Sequence, residues 1–239
     1  MLVILIAGGA CVATLIGGSF AIRFRDKLHL VLGFSAGAIV AVAFFDLLPE
    51  AIELGTKYHP PATVALFVAL GFLAYLTLDR FMLLRTHEEE SGLNMPRGVF
   101  GALTLSMHSF LDGVAIGIGF QASPAIGIVV AVAVLTHDFS DGINTASLIL
   151  RNGGTWKMAL RWLLVDAIAP VLGATSTLLF RIPDGTIGLV LAVFVGSFLY
   201  LGASDLIPES YHRHPRIGTT LMTFLGAAVM YGAVRLAGE

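Results

Sequence analysis

Apolar residues gather along this chain into eight stretches of near-constant length, roughly 2–22, 30–52, 63–84, 98–121, 124–150, 157–180, 186–209 and 217–236. Each approaches the ~20 residues that carry a helix across the hydrocarbon of a bilayer. The connections between them, RFRDKLH, GTKYHPPA, RTHEEESGLNMPR, QASP, RNGGT, RIPDG and YHRHPR, are short and hold Pro, Gly or charge. Backbone in lipid has to satisfy its own hydrogen bonds, which leaves helices for spans of this length. The pattern therefore predicts an all-α integral membrane protein of eight transmembrane helices. Residues 1–239 are expected to form one transmembrane domain, with nothing left over for a separate soluble one. The first stretch has no positive residues ahead of it and is long enough to span, so it reads as a helix and not as a cleaved signal.

Composition agrees. The chain is 56% hydrophobic and 13% charged, against the roughly 25% charged residues of a soluble domain, and its mean hydropathy is +0.87. A net charge of −2 leaves no basic footprint for nucleic acid, so the surroundings to expect are the lipid bilayer and small ions. The single cysteine, Cys11, excludes an internal disulfide. Charge placement sets orientation. Eleven of the fourteen Lys and Arg residues (Arg23, Arg25, Lys27, Arg80, Arg85, Arg97, Arg151, Lys157, Arg161, Arg213 and Arg216) lie at odd-numbered connections or their flanks. Those connections are expected to be cytoplasmic, with both termini outside the cell (inner) membrane. Oligomeric state is left open, a homodimer included.

Ionisable groups at bilayer depth are costly, and where they occur they pair inside the bundle or serve a function. The fourth stretch holds His108 and Asp112, the fifth His137, Asp138 and Asp141, and the sixth Asp166. Four of these belong to a duplicated pattern, His-x-Phe-x-Asp-Gly, in HSFLDG at 108–113 and again in HDFSDG at 137–142. The spacing of four puts each His and Asp on one helix face, with Ser109, Ser140 and Asn144 beside those faces. Two helices joined by the four-residue QASP turn are antiparallel neighbours, so the two polar faces can meet and Asp166 can join them. Imidazole with carboxylate suits Zn²⁺, Fe²⁺ or Mn²⁺, and the surplus of carboxylates leaves one ion or two open. A buried hydrogen-bonded His/Asp pair without metal is the plainer alternative for either copy alone. Recurrence at matched depth on neighbouring helices is what favours ligation. Asp138, about 100° around the helix from His137, faces either a second ion or another helix.

A second pattern, Asp-Leu-x-Pro-Glu, occurs at 46–50 and 205–209. The two stretches carrying it run in opposite directions, which is the mark of an inverted-repeat transporter with its site near the midplane. Asp46 and Glu50 would then stand at an entrance, and Asp205 and Glu209 at an exit where His212 and His214 could receive an ion. The alternative is that Pro and charge simply end these helices at the interface, with the histidines solvated. His87 through Glu90 reads as a solvated charge run, with weak regulatory metal binding the alternative.

These residues resemble the ZIP (Zrt- and Irt-like) divalent metal transporters, and in particular their compact bacterial members. HSFLDG and HDFSDG carry the resemblance most specifically, supported by GFSAGAIVAVAFFDLLPEAIEL, VDAIAPVLGA and DLIPESYHR. The resemblance implies a 3+2+3 helix arrangement, a metal site between the fourth and fifth helices, and movement of Zn²⁺ and related cations toward the cytoplasm. By position it assigns His108, Asp112, His137 and Asp141 to the primary metal site, and Ser109, Asp138 and Asp166 to a second, adjacent one. Four positions depart from the usual pattern. Ser109 stands where many members have Asn, Asp112 and Asp141 where they have Glu, and Ser140 where they have Pro.

The expectation is a transporter and not an enzyme, with Zn²⁺ as cargo and Fe²⁺, Mn²⁺ or Cd²⁺ as alternatives. Two rivals use the same residues. An intramembrane metal-dependent hydrolase would activate water on the ion, although the chain has no His-Glu-x-x-His. A proton-coupled carrier for another substrate would titrate the histidines.

Overall fold

A computed structural model of the chain describes residues 2–20, 28–87, 95–212 and 217–237. Among the described residues every regular element is helical and no strand occurs. Helix α1 is Leu2–Phe20. Helix α2 runs Leu28–Val42, widens into a π turn at Ala43–Leu47, and continues as Leu48–Thr56. Then come α3 (Pro61–His87), α4 (Met95–Ala122), α5 (Pro124–Arg151) and α6 (Trp156–Ser176). Helix α7 runs Asp184–Tyr200, widens at Leu201–Leu206 and resumes at Ile207–His212, and α8 is Ile217–Ala237.

Six of these, α2 to α7, contain segments long and apolar enough to cross a membrane. In α1 and α8 the apolar parts are shorter, Val3–Ser19 and Ile217–Gly232. At 1.5 Å per residue those parts reach about 24–26 Å, against ~30 Å of hydrocarbon.

The ends of the central helices follow from local chemistry. Ser123 Oγ accepts the Ile126 amide at 3.2 Å and Pro124 takes the first position of α5, so the QASP turn caps what it starts. Helix α5 closes at Gly153, whose φ of 85° only glycine adopts freely. There the Gly154 amide donates back to the Ile149 carbonyl at 2.9 Å. Helix α6 opens on Thr155, which accepts the Met158 amide through its side chain.

The contacts divide the chain into two compact units, 1–25 with 78–117 and 138–179, and 26–77 with 118–137 and 180–239. Helices α4 and α5 contribute to both. In the first unit α1 lies along α6, and two close approaches explain the motif glycines. A Cβ added at Gly113 would strike the Pro170 backbone of α6, and one added at Gly142 the Thr14 backbone of α1. Glycine ends each His-x-Phe-x-Asp-Gly because another helix crosses there, backbone against backbone.

In the second unit α2 packs along α8, and α7 meets the last turns of α2. Each π turn packs on the helix that carries the other one. Both turns have the same cause. Pro49 and Pro208 have no amide to donate, and in a regular turn the ring of each would press on the carbonyl four residues back. The chain widens instead. The Leu48 amide reaches back five residues to Ala43, and the Ile207 amide five residues to Gly202. The duplicated Asp-Leu-x-Pro-Glu is thus a duplicated backbone irregularity, with Asp46 and Asp205 inside it.

Candidate metal centre

Helix α4 carries His108 and Asp112 one turn apart, and the pair closes on itself, with His108 Nε2 3.2 Å from Asp112 Oδ2. Asp141 of α5 approaches the same nitrogen, at 3.9 Å through its Oδ2. One turn earlier on α5, His137 completes the group. One ligand atom from each of His108, Asp112, His137 and Asp141 lies within 4.8 Å of all the others, and all four residues are buried.

The orientation of His137 is set by its own helix. Its Nδ1 sits 3.0 Å from the Ala133 carbonyl, which can only accept, so Nδ1 carries the proton. The neutral ring then keeps its lone pair on Nε2, the tautomer a metal ligand needs. Phe198 of α7 places its ring at 79° to the imidazole, with centroids 6.4 Å apart.

Burial makes the charge of this group a problem for the protein alone. Asp138 and Asp166 are also fully buried. Residues 98–150, which include all of the α4 and α5 residues involved, contain no Lys or Arg. Carboxylates taken out of water without a countercharge are strongly destabilised. Two imidazoles and two carboxylates on convergent atoms could hold a divalent cation, which would meet that need, and the N/O donor set suits zinc and its neighbours in the transition series.

The remaining expected ligands fall beside this group. Ser109 Oγ donates to Asp166 Oδ1 at 2.7 Å, and Thr145 Oγ1 donates to Asp166 Oδ2 at 2.8 Å. Asp166 therefore links α4, α5 and α6 by accepting one hydroxyl on each oxygen. Asp138 is buried on α5 next to His137.

Thr145 escaped the sequence reading although it continues the spacing of four from His137 and Asp141. A hydroxyl in an apolar helix usually bonds its own backbone, as Thr136 does to Val132 at 2.7 Å, and spacing alone does not separate the two cases.

Of the expected entrance, Asp46 lies in the first π turn, partly buried. Its Oδ2 is enclosed without a hydrogen-bond partner among the described residues. Glu50 follows one turn later. Of the expected exit, Asp205 falls in the second π turn and Glu209 and His212 in the last turns of α7. The side chains of these three lie outside the described residues, as does His214 altogether. The side chain of His87 and all of Glu88 to Glu90 also lie outside them.

Comparison with known proteins converges on one group. The model of the family described as ZIP Zinc transporter matches residues 1–99 and 87–233. The chain is 28% identical over 246 residues to the zinc transporter ZupT of Corynebacterium aurimucosum, covering 94% of this chain and 92% of that protein. It is 26% identical over 194 residues to the zinc transporter ZIP13 of Pongo abelii, covering 76% of this chain and 58% of that one. With the zinc transporter YKE4 of Saccharomyces cerevisiae it shares 23% identity over 227 residues, 80% of this chain and 63% of the relative. The chain thus spans about three fifths of the latter two relatives and nearly the whole of the first.

Proposed function

Because this chain belongs to the ZIP zinc transporter family, we propose that it carries divalent transition-metal ions, zinc foremost, across the cell membrane toward the cytoplasm. The observation that carries the proposal is the buried convergence of His108, Asp112, His137 and Asp141 on two helices that are each long and apolar enough to cross a bilayer. Iron, manganese and cadmium are the alternative cargo.

Asp138, Ser109 and Asp166 are the residues toward which a second ion would look. The hydroxyl bonds to Asp166 give that position a structural duty as well. Asp46 and Glu50 would draw the ion in from outside, and Asp205, Glu209, His212 and His214 would release it. The surrounding architecture under this reading is an eight-helix, 3+2+3 inverted repeat in the inner membrane with both termini outside, the paired π turns being its duplicated backbone signature. A homodimer is compatible with it.

The hydrolase reading lacks support of the same kind, since the duplication of both motifs suits a path with two mouths better than one active site.

Reconstituted liposomes loaded with a zinc-sensitive dye provide the test. The unsubstituted protein is expected to pass zinc down its gradient, and His108→Ala and Asp141→Ala to reduce the flux at least tenfold. Absence of flux for zinc, iron, manganese and cadmium alike in the unsubstituted protein would overturn the transporter. Flux surviving in both variants would overturn the site.

A further inference from the structure

We propose that Ser35, on α2, is a positioning residue for the metal ligand His137. The assignment rests on the metal site described above. It begins from a hydrogen bond that no local pattern requires: Ser35 Oγ donates to the backbone carbonyl of Thr136 at 2.8 Å, across 101 residues of sequence. Ser35 is fully buried. A serine in an apolar helix ordinarily satisfies itself by bonding a carbonyl one turn back in its own helix. Ser35 spends its proton on another helix instead.

Thr136 immediately precedes His137, and its carbonyl lies in the middle of α5, where the helix already offers it the amide of residue 140. A carbonyl oxygen has two lone pairs, so a second donor adds to the helical bond without replacing it. The turn that delivers His137 is tied at two further carbonyls. The Thr136 hydroxyl donates to Val132 at 2.7 Å, and His137 Nδ1 donates to Ala133 at 3.0 Å. Among the described residues, three of the five carbonyls from 132 to 136 accept a side-chain donor, and of these three bonds the one from Ser35 comes from another helix.

The two bonds within α5 choose the rotamer and tautomer of the ring. They cannot choose how the turn as a whole is rotated about the helix axis, because they rotate with it. A bond from α2 can. Ser35 thereby fixes the direction in which His137 Nε2 points, and α2 influences metal affinity without supplying a ligand. Glycines at 33 and 37 on either side of Ser35 let α8 close on α2, so α2 is itself held in place.

The test is a double-mutant cycle on the full-length purified protein, read as zinc affinity by competition with a chromophoric chelator and as the visible absorption of bound Co²⁺. Ser35→Ala is expected to weaken zinc binding about three- to tenfold, the scale of one buried hydrogen bond, and to change the Co²⁺ band. Ser35→Thr, which keeps the hydroxyl, is expected to stay within about twofold of the unsubstituted protein. In a His137→Ala background, Ser35→Ala is expected to have no further effect, because the ligand it positions is gone. A general packing role would lower affinity equally in both backgrounds.

Unchanged affinity and Co²⁺ spectrum in Ser35→Ala, or an equal loss with and without His137, would overturn the assignment while leaving the metal site standing. No zinc binding by the unsubstituted protein would overturn the metal site, and this assignment with it. Should Ser35→Ala fail to fold, Ser35→Gly removes the same hydroxyl and is read by the same cycle.

Discussion

Gly142→Ala is the sharpest test of the close packing around the metal motif. On propensity alone the change helps, since alanine in a helix is favoured over glycine by about 1 kcal/mol. The structure predicts the opposite sign. A Cβ at Gly142 would overlap the Thr14 carbonyl oxygen of α1 and stand 2.8 Å from its carbonyl carbon and 2.9 Å from the Gly18 amide nitrogen. Carbon atoms in comfortable contact stand about 3.5–4.0 Å apart, so α1 must retreat by roughly 1 Å or α5 must bend. All the atoms in the way are backbone and have no rotamer to escape into. Overpacking of this kind costs about 1–3 kcal/mol. Setting the propensity gain against it leaves a net loss of up to about 2 kcal/mol. For a chain of this length that is a fall in thermal midpoint of up to about 8 °C. Because Gly142 directly follows Asp141, zinc affinity is expected to fall with it. The assay is thermal unfolding followed by intrinsic fluorescence in detergent, with and without zinc. Gly8→Ala serves as the control, since an added Cβ there meets nothing within 4 Å, and it is expected to be neutral or slightly stabilising. A midpoint for Gly142→Ala equal to or above that of Gly8→Ala would refute the close approach of α1 and α5.

Two further outcomes follow from the same geometry. Thr145→Val keeps the shape but leaves Asp166 Oδ2 without the hydroxyl that donates to it. It is expected to cost about 1–3 kcal/mol in thermal stability while one zinc per chain is still bound, and a lost zinc with unchanged stability would instead make Asp166 a ligand. Pro49→Ala and Pro208→Ala each restore an amide to a π turn, so each is expected to let the helix close to regular geometry and slow zinc uptake in liposomes without lowering the thermal midpoint. Uptake unchanged in both would mean that the widened turns serve only to accommodate proline.

Much of this protein is legible along the chain because the controlling physics is local. Apolar runs bounded by Pro, Gly and charge located the helical stretches, six of which are long and apolar enough to cross a membrane among the described residues, since a backbone in lipid has helix as its remedy. The spacing of four put His108 with Asp112, and His137 with Asp141, on common faces, and the short QASP turn made their helices neighbours. The duplicated Asp-Leu-x-Pro-Glu was visible as residues, but the π turns it causes were not. Proline says only that one hydrogen bond is missing, and whether the helix kinks, breaks or widens depends on what packs around it.

What the tertiary structure alone decided concerns partners chosen across sequence. Asp166 takes its hydroxyls from residues 21 and 57 positions away, and Ser35 finds its carbonyl 101 positions away. No periodicity encodes such choices. They depend on which helix faces come together, and on glycines such as Gly113 and Gly142 that let backbones approach until one hydroxyl can reach one particular oxygen. Sequence determined that four candidate ligands exist and share two helix faces. Packing decided that they converge, which way His137 points, and which hydroxyls hold the neighbouring carboxylate in place.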